Sequence, residues 1–205
     1  MASDRKIIKV CGMRDTDNIW AVQTLGVNLI GLIFYPKSPR YVSSPPLSLP
    51  LVARVGVFVN APLSEIQNTI SDYCLDYVQL HGSESVEDCR TAASFRVKVL
   101  KAFSVDENFD FETVEPYSEV CDLFVFDTKC SGHGGSGEQF DWSLLGRYHG
   151  STRFLLSGGI GPESVQALKA FHHPQLAGYD LNSRFESSPA MKDTELLTNF
   201  LEQLK

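Results

Sequence analysis

Eight short apolar runs punctuate the chain: IIKVCG (7–12), LIGLIF (29–34), VGVFV (55–59), DYVQL (76–80), VKVLKAF (97–103), DLFVFD (122–127), RFLLSGG (153–159) and LAGYDLN (176–182). Most are continuous rather than alternating, the pattern of parallel strands covered on both faces. Stretches with helical spacing lie between them. Ile19, Val22 and Leu25 share one stripe, Leu63, Ile66 and Ile70 another, and Leu197, Phe200, Leu201 and Leu204 the last. Pro62 and Pro162 stand where a first helical turn tolerates proline. Ser83 is the expected N-cap ahead of ESVEDC.

Length then chooses the architecture. A strand of about 5 residues, a helix of about 11 and two short loops make a unit of roughly 25. Eight units need about 200 residues, and the chain has 205. The expectation is an α/β fold, a closed (β/α)8 barrel forming one domain over residues 1–205. An open doubly wound sheet is the alternative. It needs fewer strands and leaves two of the runs unexplained. One crossover departs from the pattern. SSPPLSLPLVAR (43–54) should hold the second helix but carries Pro45, Pro46 and Pro50. An interior proline costs a helix about 3 kcal/mol, so an irregular or shortened second crossover is expected there.

Composition narrows the partners. A net charge of −7 argues against nucleic acid, whose phosphates select basic faces. It leaves small anions open, because a few oriented amides hold one. Hydrophobic residues make up 43% of the chain, enough for a sizeable core. No apolar run reaches the about 18 residues of a membrane span, and the N-terminus does not resemble a signal peptide. The five cysteines are odd in number and form no C-x-x-C pair. A cytoplasmic protein with reduced thiols is expected, acting as a monomer on a small molecule with no membrane partner.

In a barrel, chemistry sits where the strands end. The first run closes with Cys11 and Gly12, the fourth with His81 and Gly82, the sixth with Asp127 and the seventh with Ser157, Gly158 and Gly159. The eighth gives Asp180, Asn182 and Ser183. Cys11 reads as a small buried hydrophobe or as a base. A free thiol with a pKa near 8.5 is only a few per cent ionised at neutral pH, so a base would need a nearby cation or helix N-terminus. Asp127 reads as a turn cap, or as a general acid kept protonated by the apolar barrel interior. Gly158 and Gly159, just ahead of a helix beginning near Pro162, suit a phosphate nest after the seventh strand. Arg40, stiffened by Pro39 in KSPRY, is either solvated or a two-point clamp for a carboxylate. The glycine run GHGGSG (132–137) reads locally as a flexible turn.

Together these pieces form a resemblance. KVCGM, GLIFYPKSPRYV, VGVFVN, DYVQLHG, FDTK…GGSGEQFDW, LLSGGIGPESV and YDLNSRFE…KD are similar, in order, to the phosphoribosylanthranilate isomerase family. The match spans almost the whole chain, and the combination of SPRY, QLHG and GGSG…FDW is highly specific. The resemblance implies a small (β/α)8 barrel of tryptophan biosynthesis (EC 5.3.1.24) that performs an Amadori rearrangement without metal or organic cofactor. It implies Cys11 as general base, Asp127 as general acid and Arg40 as the clamp for the anthranilate carboxylate. It places the sugar phosphate on amides of Gly158, Gly159, Ser183 and Arg184, with Asp180 nearby and His81 on the same rim. It makes Gly134, Gly135, Ser136 and Gly137 part of a lid loop. Arg184 is a departure, because the family commonly has glycine there, and a side chain disfavours φ > 0. Two other functions share the phosphate loops. An epimerase or another aminosugar isomerase would not need Arg40 or the Cys11–Asp127 pair. A non-enzymatic binding barrel would not need both presumed catalytic residues.

Overall fold

The chain closes into an eight-stranded parallel barrel in the order β1 to β8. The structure, a computed structural model, describes residues 6–44, 51–128 and 142–205. The strands are β1 (Ile7–Val10), β2 (Leu29–Ile33), β3 (Ala53–Phe58), β4 (Tyr77–Leu80), β5 (Lys98–Val105), β6 (Leu123–Thr128), β7 (Phe154–Ser157) and β8 (Leu176–Leu181). Each expected apolar run supplies one strand. β1 pairs with both β2 and β8, which closes the sheet and leaves no edge. The open-sheet alternative is thereby excluded.

The core has two layers. Inside the barrel, Leu29, Val55, Val57, Leu100, Val125 and Leu155 pack together, and Cys11 belongs to this inner set. Outside, a larger apolar layer joins the strands to the helices. Alternation along a strand assigns residues to the two layers. On β6, Phe126 points outward against Phe111, Tyr148 and Phe154, with ring centroids 5.5, 5.0 and 5.0 Å away. That leaves its neighbour Asp127 to face the barrel mouth.

Five α-helices lie among the described residues: α1 (Thr16–Gln23), α2 (Leu63–Tyr73), α3 (Val86–Ser94), α4 (Val165–Ala170) and α5 (Thr194–Leu204). Asp15 caps α1, and Asp193 caps α5. The cap of α3 is Ser85, not Ser83. Ser85 forms a capping box with Asp88, while Ser83 donates to Asn60 Oδ1. Leu25 lies beyond the end of α1 yet still packs against the core. Pro62 occupies the N-cap of α2, one place before the first turn. The crossovers after β5 and β6 hold 3-10 turns at Phe111–Glu119 and Trp142–Arg147. Pro116, inside the first of these, removes a donor that an α-helix would require.

Residues 34–44 and 51–52 of the second crossover contain no helix, in line with its prolines. Pro45, Pro46 and Pro50 lie outside the described residues. After β8 the chain makes a 3-10 turn (Ser183–Phe185) and a small antiparallel hairpin, β9 (Glu186–Ser188) and β10 (Met191–Lys192). No helix among the described residues is long and apolar enough to cross a membrane.

Candidate active site

The C-terminal ends of the strands surround a cavity of about 310 Å³, lined by Cys11, Gln79, His81, Asp127, Ser157, Gly158, Gly159, Asp180, Asn182 and Ser183. That volume is at the small end of ligand pockets. A second cleft, of about 390 Å³, lies outside the barrel near the start of β1, between Lys6, Leu168, Phe171 and Leu204. It holds neither the thiol nor any of the rim carboxylates.

Cys11 sits one residue past β1, and its amide donates to Leu181 O at 2.8 Å. Gly31 of β2 makes room for it. A Cβ there would come within 2.7 Å of Cys11 Sγ and 2.9 Å of Cys11 Cα. Burial pushes the Cys11 thiol above its usual range, the Lys9 ammonium opposes this, Asp180 reinforces it, and Lys192 opposes it again. The cation that a thiolate base requires is therefore present, but burial outweighs it in the free protein.

Sequence reasoning passed over Lys9. It lies fully buried inside the barrel, and its Nζ donates to Asp180 Oδ2 at 2.8 Å. The other oxygen, Asp180 Oδ1, is buried and has no partner among the described residues. The signal was available, since a lysine inside an apolar strand, two residues from Cys11, must share the barrel interior with it.

Asp127 faces His81, with Oδ2 and Nε2 3.5 Å apart. The expected apolar surroundings are not found, because the Asp127 side chain is 33% exposed. His81 is oriented from behind. The Gln79 side-chain amide lies 2.9 Å from His81 Nδ1, which turns Nε2 toward the carboxylate. Glu84 fixes the turn carrying His81, accepting from Gly82 N and Asn60 N at 2.8 Å each and pairing with the buried Lys101 at 3.2 Å.

Gly158 and Gly159 have φ of 85° and 64°, left-handed conformations that favour glycine. The two residues follow β7 and precede the 3-10 turn at Pro162–Ser164 that leads into α4. Ser183 lines the same cavity. Arg184 does not. It lies in the 3-10 turn after β8 without positive φ, so the backbone there does not demand glycine. Its guanidinium turns outward to Glu163, 3.6 Å away.

Arg40 stands beside the cavity rather than in its lining. It crosses over Gly12, where an added Cβ would meet Arg40 Cδ at 2.5 Å. Glu186 of β9 holds it in a two-point ion pair and also accepts from Lys192 Nζ at 2.6 Å. Glu186 and Lys192 were not singled out in the sequence. Burial pushes the Glu186 carboxyl up, but hydrogen bonds from Arg40 and Lys192 more than offset this and leave it below the usual carboxylate range. Gly134, Gly135, Ser136 and Gly137 lie outside the described residues. No group of three metal-ligating side chains occurs among the described residues.

A closed parallel barrel with a thiol, an imidazole and two carboxylates converging at its C-terminal mouth defines an enzyme of the (β/α)8-barrel class. Residues 8–203 match the family model described as N-(5'phosphoribosyl)anthranilate (PRA) isomerase. The chain belongs to that family, isomerases of tryptophan biosynthesis. It is 48% identical to the N-(5'-phosphoribosyl)anthranilate isomerase of Parabacteroides distasonis over 205 residues, covering 97% of this chain and 93% of the relative. It is 47% identical to the enzyme of the same name from Phocaeicola vulgatus, covering 97% and 98%. Among solved structures, phosphoribosyl anthranilate isomerase from Thermotoga maritima superposes with a TM-score of 0.83 at 34% identity, covering 98% of each chain. A phosphoribosyl anthranilate isomerase in complex with reduced 1-(o-carboxyphenylamino)-1-deoxyribulose 5-phosphate gives a TM-score of 0.81 at 32% identity, again covering 98% of each.

Proposed function

We propose that the rim cavity converts N-(5-phosphoribosyl)anthranilate to 1-(2-carboxyphenylamino)-1-deoxyribulose 5-phosphate, with Asp127 as general acid and Cys11 as general base. The observation that carries this reading is their placement. Cys11 follows β1 and Asp127 stands one residue before the end of β6, and both face one cavity that also holds the Gly158–Gly159 turn.

The chemistry requires an acid first. The ribose ring opens when Asp127 gives a proton to the ring oxygen as it leaves C1′, and the anthranilate nitrogen lone pair forms the iminium. The iminium acidifies the C2′ proton, which the Cys11 thiolate removes. The resulting enaminol tautomerises to the ketone. Each such proton transfer contributes about 10²–10⁴-fold. His81 Nε2 orients the Asp127 carboxyl, and Asp180, held by Lys9, stands near the sugar.

The two ends of the substrate are anionic. The sugar phosphate lies on amides of Gly158, Gly159, Ser183 and Arg184, where left-handed glycines turn successive N–H groups toward an anion. The anthranilate carboxylate lies toward Arg40, whose fork Glu186 holds in one orientation. The same reading makes residues 1–205 one barrel domain, acting as a cytoplasmic monomer without a cofactor.

Purified protein mixed with N-(5-phosphoribosyl)anthranilate should extinguish the anthranilate fluorescence as the rearrangement proceeds. A signal that decays no faster than the protein-free control would contradict the activity.

A further inference from the structure

Lys9 is an unusual occupant of a barrel interior. It is the central charged residue of an otherwise apolar β1, and its side chain is 0% exposed. Removing an ammonium from water costs several kcal/mol, and one carboxylate recovers it only with good geometry and full hydrogen bonding. Asp180 supplies one oxygen at 2.8 Å, and its other oxygen is buried without a hydrogen-bond partner among the described residues. A pair built only for stability would satisfy both oxygens, or would give way to apolar side chains.

Position shows what the pair addresses. Lys9 and Cys11 are two residues apart in extended chain, so both side chains enter the barrel from one strand. Lys9 and Asp180 are direct partners in the β1–β8 register. The three side chains form one cluster, with the ammonium beneath the thiol.

We propose that Lys9 is a positioning residue for the reaction, the fixed counter-charge that makes the Cys11 thiolate accessible, and that Asp180 holds it there. This rests on the reading of Cys11 as the base. The other charges facing Cys11 are Lys192 from β10 and Arg40 from the second crossover, and both already share the Glu186 carboxylate. His81 and Asp127 line the far side of the same cavity. Of the charges acting on the Cys11 thiol, Lys9 is the largest that favours the thiolate, against the larger effect of burial.

The test replaces Lys9 by methionine and follows two pH profiles in the full-length protein. The first is the rate of iodoacetamide alkylation at Cys11, resolved from the other cysteines by peptide mass spectrometry. The second is kcat/KM. Loss of the counter-charge should move the alkylation midpoint up by at least about 1 pH unit, a tenfold loss of thiolate at a given pH. The acid limb of kcat/KM should move with it, so activity falls about tenfold near neutrality and recovers as pH rises. If Lys9→Met does not fold, Lys9→Gln keeps a hydrogen-bond donor for Asp180 without the charge and should give the same two shifts. An alkylation midpoint within 0.3 units of the parent (about twofold in thiolate) in the folded variant overturns the proposal. A shifted midpoint with an unmoved kcat/KM limb instead overturns the role of Cys11 as base.

Discussion

Arg40 and Glu186 form a two-point ion pair at the edge of the site, with Nε–Oε1 at 2.8 Å and Nη2–Oε2 at 2.6 Å. The pair joins the second crossover to the hairpin after β8, elements 146 residues apart in sequence. An arginine held by one carboxylate presents a fixed fork to another. Replacing Arg40 by alanine should therefore act on substrate binding. A charge-assisted hydrogen bond contributes about 1.5–3 kcal/mol, so KM should rise roughly 10- to 150-fold with a smaller change in kcat. An unchanged KM would remove Arg40 from the carboxylate site.

Glu186 also neutralises Lys192, whose side chain is 0% exposed. Its carboxyl is held below the usual range, so the sign follows directly. Stability from this group is complete above the unfolded carboxylate pKa and is lost as pH falls through the lower folded value. Urea unfolding of the parent should lose stability from about pH 4.5 downward. Glu186→Gln should be less stable by about 3–5 kcal/mol at pH 6, because two cations lose their partner, and should show a shallower acid dependence. Parallel pH curves for the two proteins would rule this out.

Gly158 takes φ of 85° in the turn proposed to hold the phosphate. Alanine there costs about 1–2 kcal/mol in the left-handed region or forces the turn to reshape. Inorganic phosphate should inhibit Gly158→Ala at least about fivefold more weakly than the parent, in keeping with that cost. Equal inhibition constants would place the phosphate elsewhere.

Two glycines make a matched stability test. A Cβ on Gly178 of β8 would stand 1.9 Å from Ile7 O on the neighbouring strand. One on Gly146 would meet nothing within 4 Å. Gly178→Ala should destabilise by about 1–3 kcal/mol or more, and Gly146→Ala should be neutral or stabilise by about 0.4–1 kcal/mol. Thermal unfolding of both variants decides it; equal Tm shifts would contradict the packing at Ile7.

The eight strands were legible because a strand buried on both faces writes itself as a continuous apolar run, and the closed order followed from their number. The rim residues were legible because each ends such a run. Ser83 was misread as a helix cap because it precedes the same helix by two residues more than Ser85 does. The surroundings of Asp127 were misjudged because LFVF describes the strand behind it, while His81 comes from the end of β4, two strands away in the barrel. Lys9 was legible in principle, as a charge set between Ile8 and Val10. Glu186 and Lys192 were not. Their roles depend on a hairpin folding back onto α1 and the second crossover, a contact between distant parts of the chain with no local periodicity to announce it.

The assignment of acid and base rests on Asp127 and Cys11, and single-turnover decay of anthranilate fluorescence in Asp127→Asn and Cys11→Ser tests it. Each variant should slow the decay by about 10²–10⁴-fold while binding the reduced product analogue within a few-fold of the parent. Decay within tenfold of the parent in either variant would contradict that residue's place in the chemistry.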